Sequence, residues 1–267
     1  MKYGVMQGRL LSKFKGLYQS HPIGNWASEF EIASSLNLNS IEFIFDYHLY
    51  SFNAIFNNPG IIKDQIKKSG VKVKSICADF FMAAPIQNGS NAEINLYGSI
   101  LEKLIENLNF LEGNNIVIPF VDKSSIKNLS ERKFVAKFLN EFKTICKQND
   151  ITLALETDFS PRDFLEFFEF LDENHISVNY DSGNSASLGY SFEEEMKCYG
   201  KKISNIHIKD RTLKGGPVPL GSGNADLKSL KEYIKNNSYN NLIIFQAYRD
   251  EEGIDIFKKQ YEYFENL

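Results

Sequence analysis

The chain has 267 residues, of which 43% are hydrophobic and 24% charged, and its formal net charge is −4. That balance supports a globular fold with a sizeable core and is too mildly acidic for a nucleic-acid or membrane surface. No apolar run reaches the roughly 20 residues that cross a bilayer, and the opening MKYGVMQGRL lacks a signal-like apolar stretch, so a cytoplasmic protein is expected.

Strand-like runs alternate with helical periodicity from one end to the other. YGVMQ from Tyr3 is followed by a helical face made by Trp26, Phe30, Ala33 and Leu36. SIEFIF from Ser40 and KVKSIC from Lys72 precede a longer helix faced by Leu101, Leu104, Leu108 and Leu111. After NIVIPF from Asn115, a helix is predicted over Ser130–Gln148, with Ser130 as N-cap and an apolar face of Phe134, Phe138, Phe142 and Ile145. ITLALE from Ile151 leads to Ser160-Pro161, a cap followed by a proline at the first helical position. The FLEFFEFL run from Phe164 is apolar around much of its helix, as in a packed barrel helix or a subunit interface. ISVNYD from Ile176, ISNIHIK from Ile203 and NLIIFQ from Asn241 complete eight βα units.

Eight such units predict a closed (β/α)8 barrel that occupies 1–267 as a single catalytic domain. An open doubly wound sheet would more often carry a glycine-rich fingerprint after an early strand, and none is present. Gly221-Ser222-Gly223, in PLGSGNADL, reads either as a turn into a helix capped by Asn224 or Asp226, or as a closing loop or anion-holding nest of backbone N–H groups. The three cysteines, Cys77, Cys146 and Cys198, lack CxxC spacing and are expected to be buried reduced thiols.

In such a barrel, functional groups gather where the strands end. Glu156, Asp181, His207 and Gln246 stand at or near the ends of four consecutive apolar runs and offer three good divalent-metal ligands plus one neutral oxygen. Singly, a strand-end carboxylate such as Glu42, Asp46, Asp79 or Asp122 reads as a cap or surface ion-pair partner, and His207 as a satisfied core histidine. Together, Glu156, Asp181 and His207 point to a divalent metal: Mn, Co, Zn, Fe or Mg. Arg9, Arg211 and Arg249 come from neighbouring strands of a closed barrel and suit an anionic group of the substrate, unless Arg211 and Arg249 pair with Asp210, Asp250 or Glu251 on the rim. Gln7, Asp79 and Asn184 also fall at strand ends as candidate substrate contacts.

The segments GVMQGRL, SIEFIFDYH, SICADFF, LALETDFSP, NYDSGNSASLGY, NIHIKDR and PLGSGNADL resemble the xylose-isomerase-like TIM barrels, the sugar phosphate isomerases and epimerases, over nearly the whole chain. The resemblance implies metal ligands at Glu156, Asp181, His207 and Gln246, where the family typically has Glu, Asp, His and Glu. It implies substrate contact at Arg211, and Asn184 stands where a histidine is frequent. The implied activity is a metal-dependent isomerase or epimerase of a sugar or sugar phosphate, with Glu156 moving the proton and Lys209 assisting at an oxygen. Gln246 cannot exchange a proton, which disfavours a symmetrical two-base epimerisation. A dehydratase acting on a keto-polyol is the alternative. Behind it stand an endonuclease-IV-type phosphoester hydrolase, disfavoured by only four histidines, and a sugar-binding barrel without catalysis. The expected partner is a small sugar, and the resemblance implies a homo-oligomer.

Overall fold

A computed structural model describes residues 2–267. Eight parallel strands close into a barrel: β1 (Gly4–Met6), β2 (Ser40–Ile44), β3 (Lys72–Cys77), β4 (Asn115–Phe120), β5 (Thr152–Thr157), β6 (Ile176–Asp181), β7 (Ile203–Ile208) and β8 (Leu242–Phe245). Closure is made by β8 on β1, through Gly4 opposite Ile244 and Val5 opposite Phe245. Helices follow the strands and cover the outside, so the strands are buried on both faces and read as near-continuous apolar runs.

Alternation sorts each strand into two layers. Leu153 and Leu155 of β5 join the large core between barrel and helices, whereas Ala154 joins an inner cluster with Met6, Ile44, Cys77, Val117 and Ile244. Two irregularities change this phase. Ser40 lies opposite Lys72 and Glu42 opposite Ser75, so β3 carries an extra residue; Val178 lies opposite Ile203 and Asn179 opposite Asn205, so β7 carries another. Ile203 belongs to the outer core, and strict alternation from it would aim His207 at the helices. The extra residue instead turns Asn205 and His207 toward the axis and leaves Ile206 and Ile208 outside.

The helix predicted over 130–148 is two helices, Leu129–Asn140 and Lys143–Asn149. Asn128, not Ser130, caps the first, its side chain accepting the Glu131 N–H at 3.0 Å. At the break the backbone tightens, with N–H groups of Glu141 and Phe142 bonded three residues back. The Asn140 side chain is tied there to Phe170 and Asp172 of the next unit. Phe134, expected in the core, is 42% exposed, and Val135 and Leu139 are buried in its place. Ser160 caps Pro161–Phe168 as expected, and this helix buries Phe164, Phe167 and Phe168 on one face while leaving Leu165 exposed. Of the two proposed caps after the Gly-Ser-Gly segment, Asp226 is the one used, on the Ser229 N–H.

The loop after β1 is held from below by buried groups. Glu29 accepts the N–H groups of Gly8 (2.7 Å) and Leu10 (3.0 Å), and Gln7 accepts the Ile44 N–H and the His21 ring at 3.0 Å each. His21 packs on Phe43, and burial pushes its pKa down to about 4. The unfolded chain, with a normal imidazole, binds more protons between about pH 6.5 and 4. Stability contributed by this neutral histidine is therefore present above that window and lost as the pH falls through it, by up to about 3 kcal/mol. Urea unfolding of wild type and His21→Phe across pH 4–7 is expected to give curves that converge toward acid; a constant separation would rule out this source.

Candidate functional site

At the C-terminal mouth, Glu156 (β5), Asp181 (β6) and His207 (β7) each present a ligand atom within 4.8 Å of the others, all three residues being buried. β6 and β7 set Asp181 directly beside His207 in register. Asparagines hold the carboxylates in place. Asn184 and Asn179 donate to the two oxygens of Glu156 at 2.5 and 2.7 Å, and Asp181 Oδ1 accepts the Asn184 N–H at 2.8 Å while capping Ser182–Leu188. The His207 Nε2 lies 2.6 Å from Glu42 Oε1, and the other Glu42 oxygen accepts from Asn205 at 2.7 Å. Nδ1 is left facing Glu156, 3.5 Å away, with the Asn179 amide at 3.1 Å.

This arrangement fits a divalent metal. Two carboxylates and an imidazole supply three donors, and a histidine ligand normally gives its second nitrogen to a carboxylate, as His207 does to Glu42. Burial lowers the pKa of His207, but the charges of Glu42 and Glu156 outweigh burial and push it up to about 10, so a cation is favoured at this spot.

Beside the three donors lies the Lys209 ammonium, 3.1 Å from Asp181 Oδ2, 3.3 Å from Asn184 Oδ1 and 3.4 Å from Gln246 Oε1. The Gln246 Nε2 donates to Gln19 (3.0 Å), and Gln19 donates to Asp79 Oδ2 (2.7 Å). Asp79, at the end of β3, also accepts from the Cys77 thiol; burial pushes its carboxyl up to about 6 against these hydrogen bonds, and the Glu156 charge adds to the rise. Burial also holds Cys77 well above the usual thiol range, which leaves it inert.

The three arginines do not converge. Arg211 sits half-buried at the mouth, donating to Asn184 Oδ1 (2.8 Å) and the Gly215 carbonyl (3.0 Å). Arg9 and Arg249 are buried, 1% and 2% exposed, on backbone carbonyls of Ala247 and Leu11. Arg9 donates to Gln19 Oε1 at 2.8 Å, and Gln19 in turn contacts Gln246 and Asp79. Gln7 likewise braces β1 to β2 instead of facing the opening. The rim pairs anticipated for Arg211 and Arg249 are replaced by others: Glu251 takes Lys13, Asp250 takes the Gly253 N–H, and Asp210 accepts the N–H groups of Gly221 (2.9 Å), Gly223 (2.9 Å) and Ala225 (3.0 Å). The Gly-Ser-Gly nest is thus filled by the chain's own carboxylate.

Several participants were not singled out from the sequence. Asn179 and Asn205 precede Asp181 and His207 by two residues, so once the strand-end pair is taken to face the axis, a period of two places them on the same face. Glu42, a cap or surface ion-pair partner by its sequence position, is fully buried against His207. Gln19 lies in an irregular loop and carries no sequence signal.

The barrel with a carboxylate and histidine centre at its C-terminal mouth defines the class of protein. Residues 30–267 match the model of the xylose isomerase-like TIM barrel family, and the chain belongs to that family. Among curated proteins it is similar to inosose dehydratase of Clostridium perfringens, 21% identical over 155 residues, which cover 49% of this chain and 52% of that protein. The chain therefore spans about half the length of the curated relatives it matches. Its fold is similar to that of apo 3-keto-D-glucoside 4-epimerase from E. coli, with 16% identity, TM-score 0.75 and complete coverage of both chains (100% each). It is also similar to the IOLI protein solved with a bound zinc atom, at 17% identity and TM-score 0.77, covering 99% of this chain and 98% of that one. No helix among the described residues is long and apolar enough to cross a membrane.

Proposed function

We propose that the chain is a divalent-metal-dependent isomerase or epimerase of a sugar or sugar phosphate, moving a proton on the carbon beside a carbonyl. The observation that carries this reading is the convergence of Glu156, Asp181 and His207 on one point, with Lys209 3.1 Å from Asp181. The zinc carried by the IOLI protein and the epimerase action of the E. coli enzyme, both on this fold, support it. A bound metal would polarise the substrate carbonyl and so acidify the adjacent C–H. Glu156 takes the proton on one face; Lys209 holds or protonates a substrate oxygen; Arg211 and Asn184 orient the sugar at the rim. Gln246 cannot return a proton, so Glu156 alone serves aldose–ketose isomerisation, taking the proton from one carbon and returning it to its neighbour on the same face, whereas epimerisation needs a second donor on the opposite face.

A second reading, loss of water from a keto-polyol, is favoured by the match to inosose dehydratase and by Asp79. A carboxyl raised to about 6 is suited to donate the proton that a departing hydroxide needs. Phosphoester hydrolysis would need a histidine-rich cluster, whereas His21 is spent on Gln7 and His175 on the Leu139 carbonyl.

The test is incubation of metal-loaded protein with ketoses, ketose phosphates and keto-polyols in heavy water, followed by mass spectrometry. Deuterium incorporation at unchanged composition supports the isomerase or epimerase. Loss of water identifies the dehydratase. Unlabelled, unchanged substrates across the panel would overturn both.

A further inference from the structure

The partners of Gln246 place it in a role other than metal ligation. Its side-chain amide can be oriented in only one way. Arg9 Nη2, which can only donate, lies 2.8 Å from Gln19 Oε1, and Asp79 Oδ2 accepts from Gln19 Nε2 at 2.7 Å, so the Gln19 amide is set at both faces. Its oxygen then accepts from Gln246 Nε2 at 3.0 Å, which leaves Gln246 Oε1 facing the Lys209 ammonium at 3.4 Å. Turning either amide would bring donor against donor and acceptor against acceptor along the chain of contacts. The ammonium is held by one carboxylate and two amide oxygens, those of Asp181, Asn184 and Gln246.

We infer that Gln246 is a positioning residue that anchors Lys209, and that the metal centre has three protein donors, Glu156, Asp181 and His207, with the remaining positions left to substrate or water. This rests on the reading of those three residues as a metal centre. A metal and an ammonium drawn to the same neutral oxygen would repel one another without a charge on that residue to offset it, whereas Asp181, which accepts from Lys209 through Oδ2, brings a full negative charge. Lys209 is thereby fixed on Asp181, beside the residues that would hold the metal, as a donor to a second oxygen of the substrate.

The experiment has two arms. In the first, Co(II) affinity and the visible Co(II) spectrum are measured for wild type, Gln246→Ala, Gln246→Leu and Glu156→Gln, the leucine variant keeping the volume if alanine fails to fold. In the second, metal-free proteins are trace-labelled with acetic anhydride, and modification of Lys209 is read by peptide mass spectrometry. Both Gln246 variants are expected to bind Co(II) within about threefold of wild type with an unchanged spectrum, while Glu156→Gln weakens binding by about 100-fold or more and Lys209 labelling rises about fivefold without its anchor. A loss of more than about tenfold with a spectral change in the Gln246 variants would make Gln246 a ligand and overturn the inference, as would unaltered Lys209 labelling. Wild type that binds no Co(II) would overturn the metal-centre reading itself, and the labelling arm separates that failure from a failure of the anchor.

Discussion

Replacing His207 with alanine, or Glu156 with glutamine, is expected to weaken divalent-metal binding by about 100-fold or more, because each change removes one of three convergent donors. The two variants fail differently. Without His207, Glu42 is left fully buried with one oxygen unpaired, so the barrel loses stability. Glu156→Gln keeps the volume but turns an amide N–H₂ toward Asn179 or Asn184, both of which donate to the native carboxylate. Glu42→Gln tests the support from below: it keeps all three donors and weakens the orientation of the imidazole, with an expected loss of about 10–100-fold. Calorimetric titration with Zn(II) or Co(II), alongside thermal melts to confirm folding, reads all three. Native-like affinity in folded Glu156→Gln would remove Glu156 from the centre.

The largest effect on stability is expected at Asp210. Its carboxylate is the acceptor for three N–H groups of the loop that carries Gly221, Gly223 and Ala225, and the residue is 1% exposed. Asp210→Ala leaves all three without their partner. Hydrogen bonds to a charged acceptor contribute about 1.5–3 kcal/mol each, and partial access of water to the loop offsets some of the loss, so about 3–5 kcal/mol is expected in urea unfolding. Asp210→Asn retains one acceptor oxygen and should cost about half as much. The same loop reaches back to Arg211, whose carbonyl accepts the Asn224 N–H at 2.9 Å, so the alanine variant should also be cut faster by protease between Arg211 and Ala225. A cost below about 1 kcal/mol would show that the loop holds itself without the carboxylate.

The strand runs were legible because a barrel strand covered on both faces must be apolar almost throughout, and a polar residue at its end then stands out, as Glu156 does after Leu153-Ala154-Leu155. The predicted helix over 130–148 failed because its apolar repeat continues across a point where the Asn140 side chain is tied to the next unit, a contact between residues 30 and 32 positions apart. Cap chemistry, being local, was read correctly at Ser160 and misplaced by two residues at Ser130, where Asn128 does the same work.

Residue order alone determined the eight βα units, the closed barrel they imply, and the presence of Glu156, Asp181 and His207 at the ends of consecutive strands, since each follows from local period and spacing. Only the tertiary structure decided which side chains meet. The extra residue in β7 turns His207 inward, Glu42 reaches it from across the barrel, Gln19 enters from a loop without periodicity, and Asp210 rather than a ligand fills the glycine nest. Those contacts depend on strand register and on donors and acceptors brought together from distant positions, and a repeat of hydrophobicity along the chain carries no record of either.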